Sequence, residues 1–473
     1  MLSTKTSPAN NHDNHRSERD LGYYEIPSSD TMLMRKIETR NKFFTSKDFK
    51  GSENGATILE MKHKDYCSGS IDNMDFNLQK QLIADDIRVR SIQASIKNII
   101  SGKNETSSQT QIPITSGVKL HSLNYIVAVT LGGRNATVIV DTGSDLTWVQ
   151  CQPCRLCYNQ PEPLFNPSVS PTYQSVSCNS WTCQSLQSAT GNSGLCENDL
   201  KECNYVVSYG DGSYTRGELG QDHLVLGSTS IDNFVFGCGR NNKGLFGLAS
   251  GLMGLGRSNL SLISQTSGIF GGVFSYCLPS TGTKSSGSLV LGGDSDTSIF
   301  KNSTQISYTR MVANPQLFSF YFLNLTGISI GGVAIQDTVF GKSGTMIDSG
   351  TVITRLPPTI YKAVKTEFLK QFSGYPLKPG VSILDTCFDL SAYEEVNIPT
   401  VKMQFEDGAE MEVDVTGVLY VVKSDASQVC LALASLQYDD EIGIIGNYQQ
   451  KNTRVIYDIK QSRVGFAKET CSF

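Results

Sequence analysis

No run of about 18 apolar residues occurs in this chain, so no membrane-spanning helix is expected. The opening MLSTKTSPANNHDNHRSERD likewise has no apolar stretch of signal-peptide length. Lysine and arginine form no run long enough for a phosphate-binding patch, and the net charge is a mild −5, so nucleic acid is not an expected partner. Histidine is scarce. Of five, only His121 and His223 lie beyond the N-terminal segment, and no Gly-x-Ser-x-Gly elbow is present, which leaves Ser-His-Asp catalysis poorly supported. There is no His-Glu-x-x-His metal site. Gly341-Lys342-Ser343 is no phosphate loop, because Gln336 stands where that loop needs glycine.

What is present points to a large, turn-rich globular protein. At 473 residues the chain is too long for one ordinary core and suggests two or three units. It has 43 glycines, 9% aromatics and only 18% charged residues, a β-rich rather than a disordered composition. Of 13 cysteines, only Cys67 precedes residue 150. The even set that follows suggests disulfides and an oxidising compartment. Asn-x-Ser/Thr sequons at Asn104, Asn135, Asn259, Asn302 and Asn324 agree with that. A secreted protein needs a signal, so the cysteine content favours a truncated or mis-predicted N-terminus over a protein that is not secreted.

Along the chain, residues 1–50 are polar and unpatterned, the composition of a disordered segment. From Asn77, a candidate cap, Leu78, Leu82, Ile83, Ile87, Ile92, Ile96 and Ile99 recur near helical spacing. The pattern ends near Ser101-Gly102 in the polar stretch KNETSSQTQ, a linker open to proteolysis. After residue 120 short β-branched and aromatic runs take over. They include 125–131, 137–140, 205–209, 234–236, 318–325, 345–348, 415–422 and 455–458. Such spacing predicts a sandwich-like or barrel-like β architecture. One helix interrupts it, from Pro358 to Phe372, with proline at its start.

The most informative feature is an internal repeat. ATVIVDTGSDLTWV holds Asp141 and KSGTMIDSGTVITRL holds Asp348. Each has an apolar strand, Asp, a hydroxyl residue, Gly and a second hydroxyl residue. About a hundred residues after each comes an apolar-apolar-Gly triplet, Leu252-Met253-Gly254 and Ile444-Ile445-Gly446. Two copies cannot make a solenoid, so two lobes with a cleft between them are expected. An Asp closing an apolar strand is costly if buried alone. Two of them meeting at a pseudo-two-fold axis would share one proton. The ionised member can then activate a water, and the protonated member can polarise a carbonyl and protonate the leaving amine. Gly143 and Gly350 let backbone N–H groups reach the carboxylates. Ser144 and Thr351 offer hydroxyls to the outer oxygens, and Thr142 and Ser349 offer a link between the turns. One such turn alone would be read as a plain surface turn; the matched pair is not.

These turns resemble the two signatures of the pepsin-like aspartic proteases, and the likeness spans residues 125–467. Trp148 sits seven residues after the first Asp, as in that family. Tyr209-Gly210-Asp211-Gly212-Ser213 resembles the flap hairpin, with Tyr209 at the position of the flap tyrosine. Trp148-Val-Gln-Cys-Gln-Pro-Cys-Arg-Leu-Cys, Phe274-Ser-Tyr-Cys-Leu and Gly446-Asn-Tyr-Gln-Gln resemble the plant nepenthesin-like branch.

The resemblance implies a mainly β, bilobal pepsin-like acid protease fold with the active-site cleft between two pseudo-symmetric lobes. Residues 111–310 would form the N-terminal lobe with a cysteine-rich insert, and 311–473 the C-terminal lobe. Residues 51–110 would be an inhibitory propeptide carrying the helix. Residues 1–110 hold 16 Lys/Arg against 15 Asp/Glu, so net charge alone would not clamp that segment in place. Asp141 and Asp348 would be catalytic, supported by the flanking Thr142, Gly143, Ser144, Ser349, Gly350 and Thr351, with Tyr209 and Gly210 in the flap. Six disulfides are implied, with Cys277–Cys471 and Cys387–Cys430 as two of them. Cys151, Cys154, Cys157, Cys178, Cys183, Cys196, Cys203 and Cys238 would form the rest, with connectivity open. Asn135, Asn259, Asn302 and Asn324 would carry glycans. No cofactor or metal is implied. The expected partners are protein or peptide substrates, and the protein is expected to act as a monomer. Extracellular space, vacuole and plastid all stay open.

Two rival readings deserve weight. Cys151-x-x-Cys154-x-x-Cys157 has the look of iron–sulfur or zinc ligation, but a fourth ligand would have to come from afar. A pepsin-fold binding protein is the stronger rival. Some plant relatives keep the fold and inhibit glycosidases, typically with part of the catalytic motifs lost. Here both motifs are whole, which favours the enzyme. Trp148 and Tyr209 also have a plain reading as core aromatics.

Overall fold

A computed structural model describes residues 21–25, 56–63, 74–100, 124–196, 201–209, 212–280, 286–293, 305–335, 340 and 344–471. Strands dominate and fall into two lobes of like plan. In the first, strands Tyr125–Leu131 and Arg134–Asp141 form a hairpin over Gly132-Gly133, whose φ values of 52° and 73° suit glycine. Arg134–Asp141 then runs parallel to Gly251–Gly254, with Asp141 opposite Gly254. In the second lobe Thr345–Ile347 runs parallel to Gly443–Ile445. Both Asp-bearing strands are covered on two faces, which is why they read as continuous apolar runs rather than alternating ones. The apolar-apolar-Gly triplets are their parallel partners.

A further ladder joins the halves. It runs Ser307–Arg310, Arg463–Lys468, Thr453–Asp458, Val273–Cys277 and Gly287–Leu291. Thr57–His63, from the N-terminal segment, is its next strand and also pairs with Tyr125–Leu131. Leu59 and Met61 are buried there, so this segment is part of the core.

Helix α1 (Met74–Ile100) follows that strand, four residues longer at its start than the Asn77 cap predicts. The other expected helix spans Pro358–Gln371. Several expectations need correction. The run 415–422 is not one strand: Val415–Val418 is a helical turn capped by Asp414, whose side chain accepts from Thr416 N–H, and strand Leu419–Val421 follows. The run 318–325 divides into strands Phe322–Leu323 and Leu325–Ile330. Leu21–Glu25, inside the stretch expected to be disordered, pairs antiparallel with Glu395–Pro399. The rest of 1–50 lies outside the described residues, as do Cys67, Asn104, Gly210 and Asn302.

All twelve later cysteines are in disulfides. Cys277–Cys471 and Cys387–Cys430 both form, the latter between residues directly opposite on adjacent strands. The insert connectivity is Cys151–Cys238, Cys154–Cys157, Cys178–Cys196 and Cys183–Cys203. The Cys151/154/157 run therefore has its three sulfurs in disulfide bonds, which overturns its reading as a set of thiolate ligands. Asn135 and Asn259 are exposed, whereas Asn324 is half-buried and donates to Glu406 at 3.4 Å.

Candidate active site

The two parallel strand pairs deliver Asp141 and Asp348 to the junction of the lobes, where both side chains are essentially inaccessible. Each carboxylate lies in the same cradle. Gly143 N–H donates to Asp141 Oδ1 at 3.0 Å and the Ser144 hydroxyl to Oδ2 at 2.8 Å. Gly350 N–H donates to Asp348 Oδ1 at 2.8 Å and the Thr351 hydroxyl to Oδ2 at 2.6 Å. The turns are cross-linked reciprocally: Thr142 N–H donates to Ser349 Oγ at 3.1 Å, and Ser349 N–H to Thr142 Oγ1 at 2.9 Å. Ser349 Oγ passes a bond on to the Val140 carbonyl.

The glycines do more than admit the turn. A Cβ on Gly350 would lie 2.2 Å from Asp141 Oδ1, and one on Gly143 would lie 2.8 Å from Asp348 Oδ1. Any side chain here would push the carboxylates apart. Behind the second turn, Asn447 donates to the Ser349 carbonyl and Gln450 to the Ile445 carbonyl. The Gly446-Asn-Tyr-Gln-Gln stretch thus holds the Asp348 loop from below.

Trp148 Nε1 donates to Tyr209 Oη at 2.7 Å, and both rings pack edge-on against Phe246. Tyr209 N–H donates to the Ser213 carbonyl, and Gly212 N–H donates to the Tyr209 carbonyl. Burial and the nearby Asp141 charge push the Tyr209 phenol far up, so it stays a neutral hydrogen-bonding group.

Sequence reasoning did not single out Arg88, the residue between the carboxylates. Its Nη2 donates to Asp141 Oδ1 at 3.0 Å and to Asp348 Oδ2 at 3.1 Å. Burial raises Asp141, and the Asp348 charge adds to that against the pull of Arg88. Burial also acts on Asp348, but Arg88, the Thr351 hydroxyl and the Gly350 N–H outweigh it and hold Asp348 below the usual carboxylate range. The pair is therefore unequal, with Asp348 the more readily ionised of the two.

Arg88 belongs to α1, whose inward stripe is Leu82, Asp85, Arg88, Val89, Gln93 and Ile96. Leu82 packs with Val352, Ile353, Val381 and Tyr420, while Val89 and Ile96 pack with Leu317, Phe322, Met346 and Ile444. Asp85 accepts from the N–H groups of Val352 and Ile353 at 2.6 and 3.2 Å and from Arg355 Nη2 at 2.9 Å. Burial pushes its carboxyl up against the pull of Arg355 and those N–H groups. Gln93 pairs both ways with the Ile442 backbone, at 2.6 and 3.1 Å. Ile83 and Ile87, counted in the apolar stripe, face outward instead. The helix lies on polar backbone as well as apolar side chains, so its buried stripe mixes both, and a hydrophobic pattern search misplaces the face. An Arg–Asp spacing of three, 85 to 88, on that helix was the available signal.

Two family models match in tandem. The xylanase inhibitor N-terminal model covers residues 125–293 and the xylanase inhibitor C-terminal model residues 320–468. An aspartyl protease family protein of Arabidopsis thaliana is 45% identical over 82% of this chain and 81% of its own length. Aspartic proteinase nepenthesin-1 of Nepenthes gracilis is 34% identical over 82% of this chain and 92% of its own. The crystal structure of basic 7S globulin from soybean superposes with a TM-score of 0.57 at 22% identity, over 74% of this chain and 95% of that one. That likeness speaks for the fold alone; the sequence likenesses carry more, and this chain belongs to the plant pepsin-like aspartic proteases, the family that includes nepenthesin.

Proposed function

We propose that the chain is an aspartic endopeptidase made as a zymogen, with Asp141 and Asp348 as its catalytic pair at acidic pH. The observation that carries this reading is the pair itself. Two inaccessible carboxylates share one guanidinium and lie in matching cradles of backbone and hydroxyl donors. A shared proton is the general behaviour of aspartic-protease pairs and comes to this one by family. With Arg88 gone, a water fits where its guanidinium was. The ionised carboxylate takes a proton from that water as its oxygen adds to the peptide carbonyl carbon. The protonated carboxyl gives its proton to the carbonyl oxygen, forming a gem-diol. On collapse of the diol the newly protonated carboxyl gives its proton to the amine nitrogen as the C–N bond breaks, and a diol hydroxyl gives its proton to the other carboxylate, so the pair again holds one proton.

The substrate is an extended peptide held under the Tyr209 flap. The apolar pockets now filled by Leu82 and by Val89 with Ile96 favour apolar side chains near the cut bond. Residues 51–110 act as the propeptide, held by Arg88 at the pair, by Asp85 and Gln93 and by the apolar contacts of α1 rather than by net charge. Removal of that segment also takes out Thr57–His63, so the freed edge of the joining ladder must be covered anew. Six disulfides support secretion or a vacuolar location. The mature form acts as a monomer.

A catalytically silent binding or inhibitor protein is the second reading, favoured by the names of the matching family models. Both intact Asp turns speak against it. Digestion of a protein substrate at about pH 4, with and without pepstatin, decides between them. Pepstatin-sensitive cleavage by the processed chain, absent in Asp348→Ala, is expected. A folded, processed chain that cuts nothing would leave the binding protein as the better account.

A further inference from the structure

Arg355 is among the largest fully buried side chains in the protein, at 1% exposure. It lies on strand Thr354–Leu356, seven residues beyond Asp348. Its Nη1 donates to the Ile353 carbonyl at 2.9 Å, and its Nη2 to Asp85. Among the described residues, Asp85 is the acid paired with it. A buried guanidinium is costly without a counter-charge, and here that charge comes from α1, the element that processing would remove.

The backbone that carries the N–H donors to Asp85 is held by the C-terminal lobe, and Arg355 keeps its bond to the Ile353 carbonyl there. The Val352 carbonyl accepts from Tyr448 N–H at 3.0 Å. Thr354 N–H donates to Gln449 Oε1 at 3.0 Å, and Thr354 Oγ1 accepts from Gly446 N–H at 3.0 Å. All of these partners belong to the C-terminal lobe. Loss of α1 therefore uncovers a preformed notch of two backbone N–H groups and one guanidinium, with its counter-charge gone.

Resting on the endopeptidase reading above, we propose that this notch is a substrate subsite that takes the carboxylate of an Asp or Glu side chain. In the full chain Asp85 stands in for that side chain, as Arg88 stands in for the water at the catalytic pair. Asp85 and Arg88 are three residues apart on a helix, about 4.5 Å of axial rise. An extended strand covers about 3.3 Å per residue. The acidic side chain consequently falls within about three residues of the cut bond. The enzyme is thereby selective for an acidic residue beside apolar ones, rather than general for apolar sequences.

The test uses the processed form and peptides that differ by Glu against Gln at each of three positions on either side of one cut bond, at about pH 5. Binding of the same pairs is measured on Asp348→Asn, which does not cut. At one position Glu should exceed Gln by about tenfold in kcat/KM and in affinity, the usual weight of hydrogen bonds to a charge. That ratio should fall to about one in Arg355→Gln. Because the Glu/Gln ratio is read first on the unmutated chain, a misfolded Arg355 variant cannot rescue the idea. Cleavage of both peptides alike at every position overturns the subsite and keeps the endopeptidase. Binding of Glu over Gln with cleavage of neither keeps the subsite and sinks the endopeptidase.

Discussion

Replacing Arg88 by Met keeps most of the stem and removes the charge that bridges the pair. Two bonds to charged acceptors are lost, at 3.0 and 3.1 Å, from a side chain only 15% exposed. Removing one partner of a buried ion pair typically costs about 3–5 kcal/mol. Here part of that is recovered, because the carboxylates that remain can hold a proton between them. About 3 kcal/mol is the expected net loss, near a hundredfold in the equilibrium between docked and undocked α1 at about 1.4 kcal/mol per decade. The loss concerns docking, not the β lobes, since Arg88 contacts them at the pair. Hydrogen exchange of the intact chain near neutral pH reads this directly. Amides of 81–97 should exchange about a hundredfold faster in Arg88→Met, with the 345–347 and 443–445 strands unchanged. Pepstatin should bind the intact variant more tightly by up to the same factor, and mass spectrometry must find the chain uncut. Equal exchange over 81–97 and equal pepstatin affinity in the two proteins would refute the view that Arg88 supplies a large share of the helix docking.

Three further outcomes follow from the same geometry. Asp145 is buried and raised from 3.8 to about 6, chiefly by desolvation against its bonds from Ser319 and the Ser258 N–H. The folded state thus holds this proton more tightly than the unfolded chain. Its stabilising contribution is complete below about pH 4 and is lost as pH rises through 6. The difference of 6 less 3.8 corresponds to about 3 kcal/mol, which urea titrations between those pH values should detect in the parent and not in Asp145→Asn. Gly350→Ala should leave a folded, disulfide-intact protein at least a hundredfold slower, because its Cβ would meet Asp141 Oδ1 at 2.2 Å and misplacement of about 1 Å has that cost; normal kcat with normal circular dichroism would contradict the close-approach argument. Replacing Cys387 and Cys430 together by serine opens a loop of sequence separation 43, worth about 4 kcal/mol on the chain-entropy account. A urea midpoint unmoved by that double change would show that the loop is held by other means.

Much of this could be read without coordinates, for an identifiable reason. The strands that carry the two Asp residues are short, apolar and closed by a turn that needs glycine, and these are local properties of the chain. So the Asp-Thr-Gly-Ser and Asp-Ser-Gly-Thr turns, their apolar-apolar-Gly partners and the 358–371 helix were all legible. The run 415–422 was not, because a capping aspartate outcompetes β propensity for its first half. The insert disulfides were not, because pairing depends on which sulfurs the folded backbone brings together.

Arg88, Asp85 and Arg355 lie deepest in that second category. Each is an ordinary charged residue in its own segment, and their sequence separations of 53, 260 and 270 carry no pattern. The chain determined two aspartate turns, a β-rich pair of lobes and a helix before them, since each follows from neighbours along the sequence. Which face of the helix turned inward, and which arginine met which carboxylate, was decided by the closed tertiary structure alone. Burial there makes an unpaired charge too costly to leave, so partners are fixed by proximity in space and not by distance along the chain.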